Sequence, residues 1–225
     1  MADPKGPNPP RVPAERPGPA GGKRDRNRRE RTRVFLDAGL ALFLERGIED
    51  VTIDAIAKRA GAAKGSFYRY FKDKREMVEA LVAPMRARLQ AAFAECRASL
   101  DASGGDPMQV FAAYLGLGAE VEAAVRETPD LARLYLQESR GPADGARAPV
   151  TEIAQLIAST AIELTEFAQA HGLLRKVTPT VSALAVVGAG ERLLQAYLSG
   201  EFEDSGSSGA GELIGIFMQG LSIRD

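Results

Sequence analysis

"TIDAIAKRAGAAKGSFYRYFKDKREMVEAL", residues 52–81, carries two short helical patterns parted by one glycine. Thr52 is placed to cap the first, Asp54 lies in its first turn where the helix dipole favours an acid, and Val51 is placed to staple against Ile56. Ile53, Ile56, Ala57 and Ala60 form one apolar stripe, and the pattern stops at Gly61, where a residue at ease with positive φ turns the chain cheaply. A further helix is predicted from Ala63 to about Phe71. Neither short helix would persist alone in water, so packing must hold both, and the pair around a glycine turn reads as a helix-turn-helix.

On the second of these helices Phe67 and Phe71, four apart, point inward, which leaves Lys64, Tyr68 and Arg69 outside. Gly65 is costly there, since an exposed mid-helix glycine loses about 1 kcal/mol against alanine. The return expected for it is close approach of the backbone to a groove wall. Asp73 and Glu76 have the spacing of a capping box, so a fourth helix starts here. Yet Lys72, Lys74 and Arg75 crowd its N-terminus, where the dipole disfavours each cation by about 0.3 kcal/mol or more. A phosphate would reconcile the free backbone N–H groups with these cations.

At residues 28 to 82 the chain resembles the DNA-binding region of the tetracycline-repressor (TetR) family. That pattern has Thr opening the second helix, I-A-x-x-A-G through the turn, a Gly in the recognition helix, then Y-x-Y-F and a Lys starting the fourth helix. The resemblance implies that Thr52, Lys64, Tyr70 and Lys74 hold phosphates and that Gly65, Ser66 and Tyr68 come closest to bases. Arg69 also stands on the outward face, within reach of base edges. Two positions depart from the family, Ala62 and Ala63, where it has a β-branched residue followed by Ser or Thr. A side-chain cap on the recognition helix is therefore missing. With no Asn or Gln on that helix, bidentate reading of adenine is not provided for.

The charge distribution agrees with a polyanion-binding module joined to a body of another kind. Residues 1–75 hold 18 Lys+Arg against 10 Asp+Glu, whereas residues 76–225 hold 11 against 20. Residues 1–22 contain 7 of the 13 prolines and almost no large apolar side chains, so a disordered tail is expected. "KRDRNRRERTR", residues 23–33, has seven cations and two acids. It reads either as a solvated run leading into a helix or as an arm lying on phosphates or in a minor groove. Val34, Phe35, Ala38, Ala41, Leu42 and Glu45 then define a first helix from about Arg28 to Arg46, closed by Gly47.

Beyond residue 82 every pattern is helical, and the fold class is all-α. Met77, Val78, Leu81, Val82, Met85, Leu89 and Phe93 continue the fourth helix, with Pro84 expected to kink it. Later helices are predicted at 106–126, 129–140, 148–171, 178–199 and 209–223, with exposed loops at 138–149 and 199–211. The domain division expected is 1–22 tail, 23–75 DNA-binding domain with a basic arm, and 76–225 ligand-binding and dimerisation domain.

The last two helices are rich in Ala, Gly, Leu and Val, which suits either a monomer core or a four-helix dimer seam. With the resemblance, a homodimer through 178–199 and 209–223 is expected, its recognition helices roughly 34–36 Å apart on a near-palindromic operator of double-stranded DNA. The resemblance also implies a small-molecule effector pocket, for which the polar or aromatic residues on apolar helices are candidates: Tyr114, Glu120, Arg133, Tyr135, Gln137 and Arg192.

Catalytic readings find little support. Gly188 and Gly190 give a G-x-G, but Leu193 stands where a third glycine would be needed and no strand pattern surrounds it. "GAAKGS" is no P-loop, because its lysine precedes the glycine. One histidine, His171, and one cysteine, Cys96, build neither a zinc site nor a Cys–His pair, and His171 reads as a helix C-terminal residue. No enzyme activity, cofactor or metal is expected. No apolar stretch approaches the roughly 20 residues of a spanning helix, and no apolar run follows the N-terminus, so no membrane partner and a cytoplasmic location are expected. The competing reading is a helical scaffold whose basic arm sits on RNA or an anionic surface without sequence choice.

Overall fold

The computed structural model describes residues 22–201 and 209–221. Among them are nine helices and no strand: α1 Lys23–Arg46, α2 Ile53–Arg59, α3 Lys64–Phe67, α4 Lys74–Ala102, α5 Pro107–Glu127, α6 Pro129–Glu138, α7 Ala148–Ala170, α8 Pro179–Leu198 and α9 Gly209–Leu221. The predicted tail 1–22, except Gly22, and residues 202–208 of the predicted loop lie outside the described residues.

Helix α1 begins at Lys23 rather than Arg28. Arginine is a good helix former, and ion pairs one turn apart, Asp25–Arg29 at 3.1 Å and Arg33–Asp37 at 3.7 Å, stitch the basic run into the helix. The cations of residues 23–33 therefore project from a helix and do not lie along an extended arm. At the other end Gly47, with φ +83°, donates its N–H to the Phe43 carbonyl and ends the helix.

The amino-terminal helices close around aromatic rings. Phe67 meets Phe35 edge-on with centroids 5.8 Å apart and lies 5.4 Å from Phe71, while Phe43, Ile48, Ile56 and Met77 are fully buried beside them. Burial of each such side chain contributes about 1.5–3 kcal/mol, which short helices cannot supply from propensity.

Helix α4 is the shared spine, packing on α5 and α7 and reaching back to α1. It runs unbroken through Pro84. Helices α7 and α8 pack together, α9 lies on α5 and α8, and α6 bridges α1 to α8. Gly118 permits the α5–α9 approach: a Cβ there would sit 2.6 Å from Ile214 Cδ1 and 3.3 Å from Ala210 Cβ. Gly188 and Gly190 are ordinary residues of α8, with Leu213 of α9 3.9 Å from where a Gly190 Cβ would stand. His171 caps α7, and its Nδ1 lies 2.9 Å from the Phe167 carbonyl oxygen.

The stretch 138–149 is only partly the exposed loop expected. Residues 142–145 are exposed, but Ser139, Ala146 and Ala148 are buried, because the two ends of the loop dock on the α1–α2 connection. No helix among the described residues is long and apolar enough to cross a membrane.

Candidate nucleic-acid interface and ligand cavity

Helix α2 is built by its ends. Thr52 Oγ1 accepts the Ala55 N–H at 3.1 Å, which leaves the hydroxyl proton of an exposed residue available to a further acceptor. At the other end the Ala62 N–H reaches the Ala57 carbonyl and the Gly61 N–H reaches that of Lys58, with Gly61 at φ +63°. This is a Schellman motif, and it fixes the direction in which α3 leaves. An ion pair of 2.7 Å between Arg59 and Glu45 ties α2 to α1.

Helix α3 is shorter than predicted, a single α turn from Lys64 to Phe67. Beyond it the chain tightens into i→i+3 bonds, Arg69 N–H to Ser66 and Tyr70 N–H to Phe67, before the extended N-cap Asp73 starts α4. The tightening lets both Phe67 and Phe71 reach the core, and an aromatic run has little helix propensity with which to resist it. Ala63 caps the helix without a side-chain bond, as its sequence position implies.

The face turned outward carries Lys64, Gly65, Tyr68 and Arg69, with Ser66 half-buried and Tyr68 53% exposed. A Cβ built on Gly65 would meet nothing within 4 Å, and its φ is not positive. The fold itself therefore has no need of glycine at this position. Tyr70 is half-buried, its ring 5.5 Å from that of Phe35.

Lys74 is not on this face. Its Nζ donates to the carbonyls of Ile48 at 2.6 Å, Glu49 at 2.9 Å and Val51 at 2.9 Å, which uses all three ammonium protons. Burial lowers its pKa, opposed by the charges of Glu49, Asp50 and Glu138. The predicted phosphate ligand is thus a clasp on the α1–α2 connection. Arg75 pairs with Glu152 at 2.9 Å, so of the three cations expected to crowd the start of α4 only Lys72 keeps its side chain without a described partner. The expected capping box forms only in part: Asp73 Oδ1 accepts the Glu76 N–H at 2.8 Å, but the Glu76 carboxylate accepts the N–H of Lys72, one residue before the N-cap.

A second connection to that segment comes from the far end of α6. Glu138, 3% exposed, accepts from the Ile48 N–H at 3.1 Å, from Gln137 Nε2 at 3.0 Å and from Arg147 Nε. Glu49 in turn accepts the Arg147 N–H at 2.9 Å. The α1–α2 connection is thereby held from α4, α6 and the α6–α7 loop at once.

A cavity of about 320 Å³ opens between α4, α5, α6, α7, α8 and α9. Its wall is apolar apart from a few groups. Of the six residues predicted for it, Tyr114 and Tyr135 line it and four do not. Glu120 turns outward to Arg88, Arg133 pairs with Asp130 on the surface, Gln137 donates to the Phe43 carbonyl of α1, and Arg192 pairs with Glu201. A residue one place off an apolar stripe is rotated by about 100° around the helix. The α8 stripe that faces the cavity runs Val187, Gly190, Glu191 and Leu194, spacings of three and four that select Glu191 over Arg192.

Tyr135 Oη donates to Glu191 Oε1 at 2.6 Å, and Arg140 meets the other carboxylate oxygen at 3.2 Å. Burial, then the Glu191 carboxylate, pushes the Tyr135 pKa up. Tyr114 differs. Its hydroxyl is buried with no protein partner, and burial pushes its pKa up as well. An unsatisfied buried hydroxyl costs about 1–3 kcal/mol.

Comparison with known proteins agrees with this geometry. Residues 35–81 match the model of "Bacterial regulatory proteins, tetR family". The chain is 33% identical over 122 residues to the HTH-type transcriptional regulator BetI of Cronobacter sakazakii, covering 49% of this chain and 60% of that one. It is 34% identical over 65 residues to the HTH-type transcriptional regulator TtgW of Pseudomonas putida, covering 29% and 48%. The chain thus spans less than two thirds of the length of these curated relatives.

Among solved structures, NalD of Pseudomonas aeruginosa, the secondary repressor of the MexAB-OprM multidrug efflux pump, superposes with a TM-score of 0.64 at 17% identity over 86% of this chain and 97% of that one. A putative tetR family transcription regulator from Shewanella sp. PV-4 gives 0.59 at 20% identity over 86% and 99%. At such identities the likeness establishes the fold. The family match falls on the residues that build the α2–α3 turn and its exposed face, and over that segment the chain is similar to the tetR family of bacterial regulatory proteins.

Proposed function

We propose that the protein is a homodimeric repressor that binds a near-palindromic operator through α2 and α3 and is released by a small molecule occupying the cavity. The observation that carries this reading is the exposed Lys64–Arg69 face, set on a rigid base of buried Phe67 and Phe71, with a glycine the fold does not itself require. In this reading Thr52, Lys64 and Tyr70 hold phosphates, while Gly65, Ser66, Tyr68 and Arg69 lie against base edges. The division expected from the sequence is kept: residues 23–75 bind DNA, and 76–225 bind the effector and the second copy.

Dimerisation is supported by apolar side chains left outside on the last two helices, among them Val181 at 67% exposure and Ile216 at 68%. The coupling would run through α6. Tyr135 meets the cavity, and Glu138, one turn on, holds the Ile48 N–H just before α2. A shift of α6 moves the α2–α3 pair, and a ligand–DNA coupling of about 1–3 kcal/mol is sufficient for release.

Selection of bound duplexes from a randomised DNA pool tests the proposal. Enrichment of two inverted half-sites about one helical turn apart supports it. An enriched single half-site would remove the dimer, and a pool without enrichment would remove sequence recognition.

A further inference from the structure

We infer that the first three turns of α1 are a second DNA-contacting element, a basic helix laid on the phosphates that flank each half-site, and that Arg24, Arg28 and Arg31 face the duplex. The inference rests on the operator-binding reading and extends it to backbone outside the bases that α3 reads.

Three observations lead to it. Residues 23–33 contain no large apolar side chain, yet they continue α1 as regular helix, and Arg24, Arg28 and Arg31 are all exposed. A helix that is polar on every side buries no core face, so its cations serve either solvent or a partner, and seven cations against two acids suit a polyanion.

Next, the opposite end of α1 is the one tied to the effector half. Gln137 of α6 donates to the Phe43 carbonyl, and Glu138 accepts the Ile48 N–H just past the helix. At 1.5 Å per residue, Arg31 stands about 18 Å before Phe43 along the axis and Arg24 about 28 Å. The basic end therefore leads away from the effector-binding helices.

Finally, Arg24, Arg28, Arg31, Phe35, Ala38 and Leu42 follow one another at spacings of four and three, as one stripe of α1. The later half of the stripe is buried, with Phe35 against the α3 ring of Phe67 and against Tyr70. The arginines thus extend beyond α3 on the side of α1 where α3 packs. Arg26 and Arg33, seven apart like Arg24 and Arg31, stand on the opposite face, and Arg33 is answered by Asp37. Residues 23–33 span about 16 Å, or about five base pairs, enough to reach phosphates beyond the half-site.

The test compares two double variants of the full chain that lose the same charge, Arg24→Gln with Arg31→Gln and Arg26→Gln with Arg33→Gln. Each is titrated with the selected duplex, bare and with about five base pairs of arbitrary sequence added at each end. The unaltered chain is expected to bind the flanked duplex more tightly than the bare one. The Arg24 and Arg31 pair should lose that gain and reduce the slope of log affinity against log salt by about two for each chain bound, whereas the Arg26 and Arg33 pair should keep both. Glutamine has nearly the helix propensity of arginine, so both variants should melt with the unaltered chain. The inference is overturned if the two pairs lose slope equally, if the Arg26 and Arg33 pair loses more, or if the added flanks change nothing. Phosphates are held without regard to sequence, so on a long duplex of arbitrary sequence the two pairs should still differ even where operator selection fails. Either reading can therefore fail without the other.

Discussion

The Glu138 carboxylate, at the end of α6, accepts the backbone N–H of Ile48, 90 positions earlier in the chain and just before α2 and α3. The bond joins the cavity-lining half of the molecule to the α1–α2 connection, and Arg147 completes it from the other side. Glu138→Ala would leave a buried N–H and a guanidinium unanswered. A loss of about 2–4 kcal/mol in urea unfolding is expected, and less than 1 kcal/mol would show the bond to be incidental.

Lys74→Met should lower the urea midpoint, because three carbonyls of residues 48–51 lose their common donor. The slope of log affinity for DNA against log salt should stay as it is. Lys64→Ala should do the reverse, sparing stability and reducing that slope by about one. A reduced slope for Lys74→Met would restore that residue to the phosphate-binding set.

Gly65→Ala should have effects of opposite sign on stability and binding. The site has room for a methyl group, so the fold should gain about 0.5–1 kcal/mol. Affinity for the selected duplex should fall about tenfold, equivalent to about 1.4 kcal/mol. Unchanged affinity would show that no groove wall approaches Gly65.

Tyr68→Ala should weaken binding to the selected duplex by about 1–3 kcal/mol and leave unfolding nearly unchanged, since the side chain is mostly outside. An identical affinity and selected site would remove Tyr68 from the residues that read bases.

Burial pushes the Cys96 thiol from about 9 up to about 12. A raised folded pKa means that the stability is fully present below about pH 9 and is lost as the pH climbs from 9 towards 12, where unfolding releases the proton. Denaturation midpoints measured from pH 7 to 11 should decline only above 9, and Cys96→Ala should flatten that decline. A native chain that reacts with a thiol reagent at pH 7 as fast as the unfolded chain would contradict the burial.

The helix-turn-helix half was legible because its signals are local. Thr52 as a cap, Gly61 as a turn and Asp73 as the cap of α4 each act within a few residues, and the structure has each of them. What stayed hidden depends on long-range partners. Lys74 stands among cations in sequence, and only the fold brings the carbonyls of 48–51 to its ammonium. Glu120, Arg133 and Arg192 stand among apolar residues in sequence, yet they lie on outer faces of α5, α6 and α8 and meet surface ions. On α8 the helical spacing of three and four from Val187 brings Glu191, not Arg192, to the cavity.

The most direct measurement is the affinity for the selected duplex and for a scrambled one, taken side by side across a salt series. The scrambled duplex should lose its affinity steeply, while the selected one stays at least about a thousandfold tighter at physiological salt. If the two fall together, at one slope and without a residual ratio, the Lys64–Arg69 face does not read sequence and the protein is not an operator-binding regulator.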